Sequence, residues 1–213
     1  MNRSYRHLPA LDIERAGYAL HPVADADIEA IRQWRNAQMD VLRQSHPIAP
    51  DEQVAYFDRA IWPQMDEEQP DTILLTVLRN GRAIGYGGLV HCQWEHARAE
   101  ISVLFDPVVA RSEKDYRPAL LTFLNCICEL GFARLGLNRL TLETFATREA
   151  HIALIEESGF TCEGRLRQHV CIEGAMHDSL IHARLAQDYQ GGSGGRMTSS
   201  ATRSIREPSG GGS

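Results

Sequence analysis

The chain has 213 residues, of which 43% are hydrophobic and 23% charged, the balance of one folded globular domain and not of a disordered or fibrous protein. A formal charge of −6 argues against a general nucleic-acid binder, which needs a concentrated basic face. No apolar run approaches the roughly 18–20 residues of a membrane span and the N-terminus lacks a secretory stretch, so a cytoplasmic protein without a membrane partner is expected.

Residues 1–16 read as an N-terminal extension, and an apolar strand ends at Val23. Asp25 then makes a good N-cap, and Ile28, Ile31 and Trp34 recur at helical spacing. After a polar stretch with Pro47 and Pro50, a second helix begins at Pro50-Asp51-Glu52, with Val54, Phe57 and Ile61 along one side. From residue 72 the pattern turns to β-branched and apolar residues. Runs 72–78 and 83–93 flank Asn80-Gly81, a strong hairpin signal. A third strand covers 99–105, with Glu100 and Ser102 on one face and Ile101 and Val103 on the other.

A long helix is predicted over 117–133, its Leu120, Leu121, Leu124, Ile127 and Cys128 forming a broad apolar stripe. A strand over 139–144 and a short helix over 149–158, stopped by Gly159, come next. Segments 160–167, 169–172 and 179–185 supply the closing strands, with Glu173-Gly174 as a turn. The order is β-α-α-β-β-β-α-β-α-β-β, a mixed α/β layer spanning 17–189. The stretch 190–213 reads as a Gly/Ser-rich linker tail.

The five cysteines are odd in number and fall mostly in apolar segments, which points to free core thiols. Cys126 and Cys128 stand two apart on a helix, directed about 200° from each other, and cannot share a metal as a pair. No metal site is expected. His177, Asp178 and His182 have neither a nucleophile nor a ligand set near them in sequence.

Three segments carry a resemblance. Residues 99–107 (AEISVLFDP), 129–140 (ELGFARLGLNRL) and 155–166 (IEESGFTCEGRL) are similar to the fourth strand, the end of the CoA-binding helix and the helix-to-strand passage of the GCN5-related N-acetyltransferases (GNAT). The likeness covers about residues 17–187. It is nearest to the branch holding ribosomal-protein N-terminal acetyltransferases and bacterial acetyltransferases of nucleotide-linked 4-amino sugars. Trp34-Arg35-Asn36 and the 51–57 segment resemble the amino-sugar enzymes in particular.

The resemblance implies a GNAT fold, a central mostly antiparallel mixed sheet flanked by helices. It also implies acetyl-CoA as co-substrate, a primary amine as acceptor and a homodimer as the assembly to test. In this family the fourth strand splays from the fifth and its free backbone pairs with pantetheine, which assigns Val103, Leu104 and Phe105 to that role. The amine favoured is a small or nucleotide-linked amino sugar. A protein N-terminal amine is the nearest rival, and a degenerate non-catalytic acyl-CoA sensor is the reading from another class.

Two departures from the family pattern stand out. The pyrophosphate loop, usually rich in glycine so that amides can close on a diphosphate, corresponds here to residues 110–119 and contains none. Arg111, Lys114 and Arg117 are the compensating cations, with Ala119 and Arg148 also assigned to the cofactor side. The asparagine and tyrosine that many relatives carry on the short helix correspond to Arg148 and Ile155.

Acetyl transfer needs a neutral amine and an exit for its proton. Glu100 is the leading base, and His91 on the adjoining strand is a second relay candidate. Trp34, Arg35, Asn36, His46, Tyr56 and Phe57 form the candidate acceptor wall, by stacking and polar fixation. Trp34 and Phe57 fit the apolar stripes of their helices equally well.

Overall fold

The computed structural model describes residues 3–172 and 174–189; the expected tail and Glu173 lie outside them. Eight strands form one sheet: β1 Ile13–Arg15, β2 Tyr18–Pro22, β3 Ile73–Arg79, β4 Arg82–Gln93, β5 Arg98–Phe105, β6 Arg139–Phe145, β7 Thr161–Ile172 and β8 Ala175–Leu185. Their spatial order is β1-β2-β3-β4-β5-β6-β8-β7. Every neighbouring pair is antiparallel except β5 and β6. The expected hairpin is present, with Asn80 at φ 50° and Gly81 at φ 76°, the left-handed pair that a tight two-residue turn of this twist requires.

Helices α1 (Ile28–Asn36) and α2 (Pro50–Tyr56) follow β2, while α3 (Pro107–Ala110), α4 (Glu113–Cys128) and α5 (Glu149–Glu157) follow the meander. The ring of Phe123 on α4 lies edge-on to Phe105 at 6.3 Å, so α4 covers the face of β5 that carries its odd-numbered side chains. Ser102 faces the opposite layer and shares a cavity wall with residues of α1 and α2. The sheet is thus filled by apolar side chains on both faces, with Leu20, Leu75, Leu89, Leu120, Leu124 and Ile127 fully buried.

Several boundaries differ from expectation. The N-terminal segment is not an extension: Tyr5, Leu11 and Ile13 are buried, and β1 adds an edge strand to the sheet. The long helix starts one turn early, at Glu113, because Ser112 takes the amides of Asp115 and Tyr116 on its carbonyl. Pro118 consequently lies inside α4. The segments 160–167 and 169–172 are one strand, β7, with a register shift between Leu166 and Val170. On α2 the expected inward position of Val54 is exposed, and Gln53 is buried in its stead. Cys162 and Cys171 sit exposed on edge strand β7, and only Cys92, Cys126 and Cys128 are core thiols.

The N-terminal docking has a measurable consequence. The Leu74 amide donates to the Tyr5 hydroxyl at 2.8 Å in a buried setting. Tyr5→Phe leaves that N–H unpaired and is expected to cost about 1–3 kcal/mol of stability, read from urea unfolding midpoints.

Candidate active site

The ladder between β5 and β6 is short. It pairs Arg98 with Arg139, Ala99 with Leu140 and Glu100 with Thr141, then stops, although β5 runs on to Phe105 and β6 to Phe145. On its other side β5 stays paired with β4 through Phe105. The Asp106 amide donates to the Ile84 carbonyl at 2.8 Å, which fixes the phase of that ladder. Residues 100, 102 and 104 exchange bonds with β4, so the peptide groups of Val103 and Phe105 point to the side from which β6 has departed. The Gln38 side-chain amide donates to the Phe105 carbonyl there, at 2.8 Å.

A cavity of about 790 Å³ adjoins this edge, walled by the α1–α2 loop, the start of α4 and the N-terminal part of α5. Arg111, Arg117 and Arg148 line it. Arg117, however, is held bidentately by Glu157 at 2.5 and 2.6 Å, an exposed ion pair with which a bound anion would compete. Lys114 is exposed off the cavity wall, and Ala119 is packed inside the helix. The first turn of α4 carries Glu113 and Asp115, two anions at a helix end that otherwise attracts negative charge. Arg79 holds the Asp115 carboxyl below its usual range, with help from the Ser112 hydroxyl. Arg111 and Arg148 are the two arginines of this wall with no carboxylate partner among the described residues.

Tyr116 stands on the cavity wall. Its ring rests edge-on against Phe105 at 5.7 Å, and its hydroxyl lies 2.6 Å from His151 Nδ1 and 3.3 Å from an Arg148 nitrogen. Burial pushes the Tyr116 hydroxyl up, opposed by Arg148. Burial also drives His151 well below its ordinary value of 6.5, so that ring is neutral. The hydroxyl is thereby fixed on the cavity wall, whereas the position that many relatives give to tyrosine is that of Ile155. Ile155, at that position, is fully buried.

A second cavity of about 720 Å³ opens on the other face of the sheet. Of the six residues expected in the acceptor wall, Arg35, His46, Tyr56 and Phe57 line it. Trp34 is a core residue, and Asn36 clamps the loop by bonding both the amide and the carbonyl of Ile48. Arg35 donates to the Tyr86 hydroxyl at 2.9 Å, which holds its guanidinium at the wall. His91 also lines this cavity, because the irregularity of the β4–β5 ladder between Val90 and Gln93 places it at φ 50° and leaves it exposed. Glu100 lies half-buried on the same face, at the last rung before the strands part.

Sequence reasoning missed Gln38, Arg43 and Glu143. Gln38 and Arg43 belong to a loop without periodicity, and only the path of the loop across the strand tips gives them partners. Glu143 alternates with the apolar Leu142 on a predicted strand, a signal that was present.

The family model for the acetyltransferase (GNAT) domain matches residues 20–181. A comparison with curated proteins finds no significant match. Among solved structures, the spermidine N-acetyltransferase of Vibrio cholerae in complex with CoA and spermine superposes with a TM-score of 0.72 at 20% identity, over 82% of this chain and 98% of that one. A dodecameric form of that enzyme gives 0.69 at 20% identity, over 83% and 98%. A GNAT-family protein from Chromobacterium violaceum gives 0.67 at 20% identity, over 87% and 91%. Likeness at this identity establishes the fold, and the family model establishes the lineage. The chain belongs to the GNAT acetyltransferase family and is an acyl-CoA-dependent N-acetyltransferase.

Proposed function

We propose that the protein acetylates the primary amine of a small acceptor with a sugar-like or anionic body, a nucleotide-linked amino sugar being the favoured case. The observation that carries this reading is the parting of β5 from β6 after Glu100 and Thr141. It leaves the Val103 and Phe105 peptide groups directed into a cleft between the two cavities' faces.

In this reading the free edge of β5 pairs with the pantetheine arm, and the Val103 amide polarises the thioester carbonyl. Arg111 and Arg148 hold the diphosphate, while the Tyr116 hydroxyl, braced by Arg148 and His151, stands on the thiol side. Glu100 accepts the proton shed by the acceptor's ammonium, directly or through water. The acceptor body lies in the second cavity, where Arg35 and Arg59 outnumber Glu52. That balance suits a phosphate or carboxylate better than a polycation, although the similar V. cholerae enzyme is a spermidine acetyltransferase.

Titration calorimetry with acetyl-CoA is the first test. Saturable binding is expected, weakened about tenfold by Arg111→Ala and little changed by Lys114→Ala. Lack of binding at millimolar ligand overturns the proposal. A thiol-release assay across a nucleotide-linked amino sugar, spermidine and a short peptide then identifies the acceptor class.

A further inference from the structure

The α1–α2 loop is tied to both tips of the parted strands. Gln38 is bonded to Phe105 of β5, and Arg43 forms an ion pair with Glu143 of β6. Glu143 stands on β6 two residues beyond the last rung of the β5–β6 ladder, and Glu100 stands at that rung. The charge of Glu100 also bears on the Arg43 guanidinium. Glu100 and Glu143 thus stand on neighbouring strands, one at the last rung and the other two residues beyond it, and Glu143 carries the ion pair with the loop cation.

The surroundings of Glu143 fit a seat for a small ammonium group. Its side chain is only 13% exposed, whereas Arg43 remains 56% exposed and reaches in from solvent. His169 Nε2 lies 3.4 Å from Glu143 Oε1. Ser179 is completely buried beside the carboxylate, and its hydroxyl makes no hydrogen bond of good geometry. Burial pushes the Glu143 carboxyl up, but the Arg43 guanidinium chiefly outweighs it and holds the group below its ordinary value. A cavity of about 510 Å³, with Arg43, Gln44 and Phe145 in its wall, opens alongside.

We infer that Glu100 and Glu143 together form the seat for the acceptor's ammonium group, and that Arg43 is an internal occupant which the acceptor displaces. The inference rests on the N-acetyltransferase reading above and specifies its amine-binding end. An exposed guanidinium is suited to such a role because a surface ion pair is held weakly, and a partly exposed one only somewhat better. The cation of the loop keeps a half-buried carboxylate compensated until a substrate cation replaces it. Competition by an internal occupant lowers the apparent affinity by the fraction of molecules in which the seat is open.

The test compares Arg43→Gln, Glu143→Gln and the wild type in the thiol-release assay, with thermal melts confirming that each variant folds. Arg43→Gln is expected to lower the acceptor KM about fivefold, with the KM for acetyl-CoA unchanged. Glu143→Gln is expected to raise the acceptor KM about tenfold or more, again without an effect on acetyl-CoA. An acceptor KM that stays level or rises in Arg43→Gln overturns the occupant role, and an unchanged KM in Glu143→Gln overturns the seat. Both results leave the transferase reading intact. Absence of wild-type turnover with the nucleotide-linked amino sugar, spermidine and the peptide defeats that reading itself, and this inference with it.

Discussion

Replacing Gly87 with alanine is expected to destabilise the protein by about 3 kcal/mol and to abolish saturable acetyl-CoA binding. A Cβ at this position would stand 2.3 Å from the Ser102 carbonyl oxygen, 2.9 Å from Val103 Cα and 2.8 Å from the ring of Phe123. Two of these neighbours are backbone of β5, so they cannot rotate away as a side-chain end would. Relief requires β5 to move as a strand, and β5 is the strand whose free edge forms the cleft. The effect should appear as a melting temperature lower by about 6–12 °C, together with flat calorimetric titrations. Gly164→Ala is the matched control, since its added Cβ meets nothing within 4 Å. A Gly87→Ala protein that melts and binds like the wild type would show that the two strands do not approach as closely as described.

Val103→Pro is expected to lower kcat about 10²-fold or more while leaving most of the stability in place. The Val103 amide points away from β4, so a proline there deletes no bond of the β4–β5 ladder. Strand positions of this kind are the ones that tolerate proline. What is lost is one N–H facing the cleft, in the reading above the donor that stabilises the oxyanion of acetyl transfer. Val103→Ala keeps that donor and should retain nearly full kcat. The two variants together separate loss of the amide from loss of the valine side chain. Equal activity of Val103→Pro and Val103→Ala would remove Val103 from the polarising role and leave the Phe105 amide as the alternative.

Alternation of apolar residues along 99–105, the Asn80-Gly81 turn and the apolar stripe of the long helix are local patterns. Each fixes which side of a segment seeks the core, and this made the strand meander and the succession of elements legible in the chain. The start of α4 was not, because Arg111 to Arg117 has no apolar period and the decisive contact is between Ser112 and amides of the following turn. Likewise β1 is three residues long, and only docking of Tyr5 and Ile13 on the sheet defines it.

The candidate site divides in the same way. The alternation of 99–105 places Glu100 on one face of β5, but Leu104, expected with Val103 and Phe105 at the free edge, turns its peptide groups to β4 instead. Lys114 and Ala119 were placed with the cofactor by position in a motif, but one faces away from the cavity and the other is packed in a helix. Arg117 has the right position and charge, yet Glu157, forty residues away in sequence, is paired with it.

By itself the sequence determined the order of the main strands and helices from β2 onward, the buried side of most of them and the family, because these follow from short-range periodicity and local motifs. Only the tertiary structure decided where β5 and β6 part, which cations stay available for an anion and which carboxylate pairs with the loop cation. Those features depend on distances between residues remote in the chain, such as Arg43 and Glu143 or Gln38 and Phe105. No local pattern encodes such a distance, since it is set by how whole elements pack.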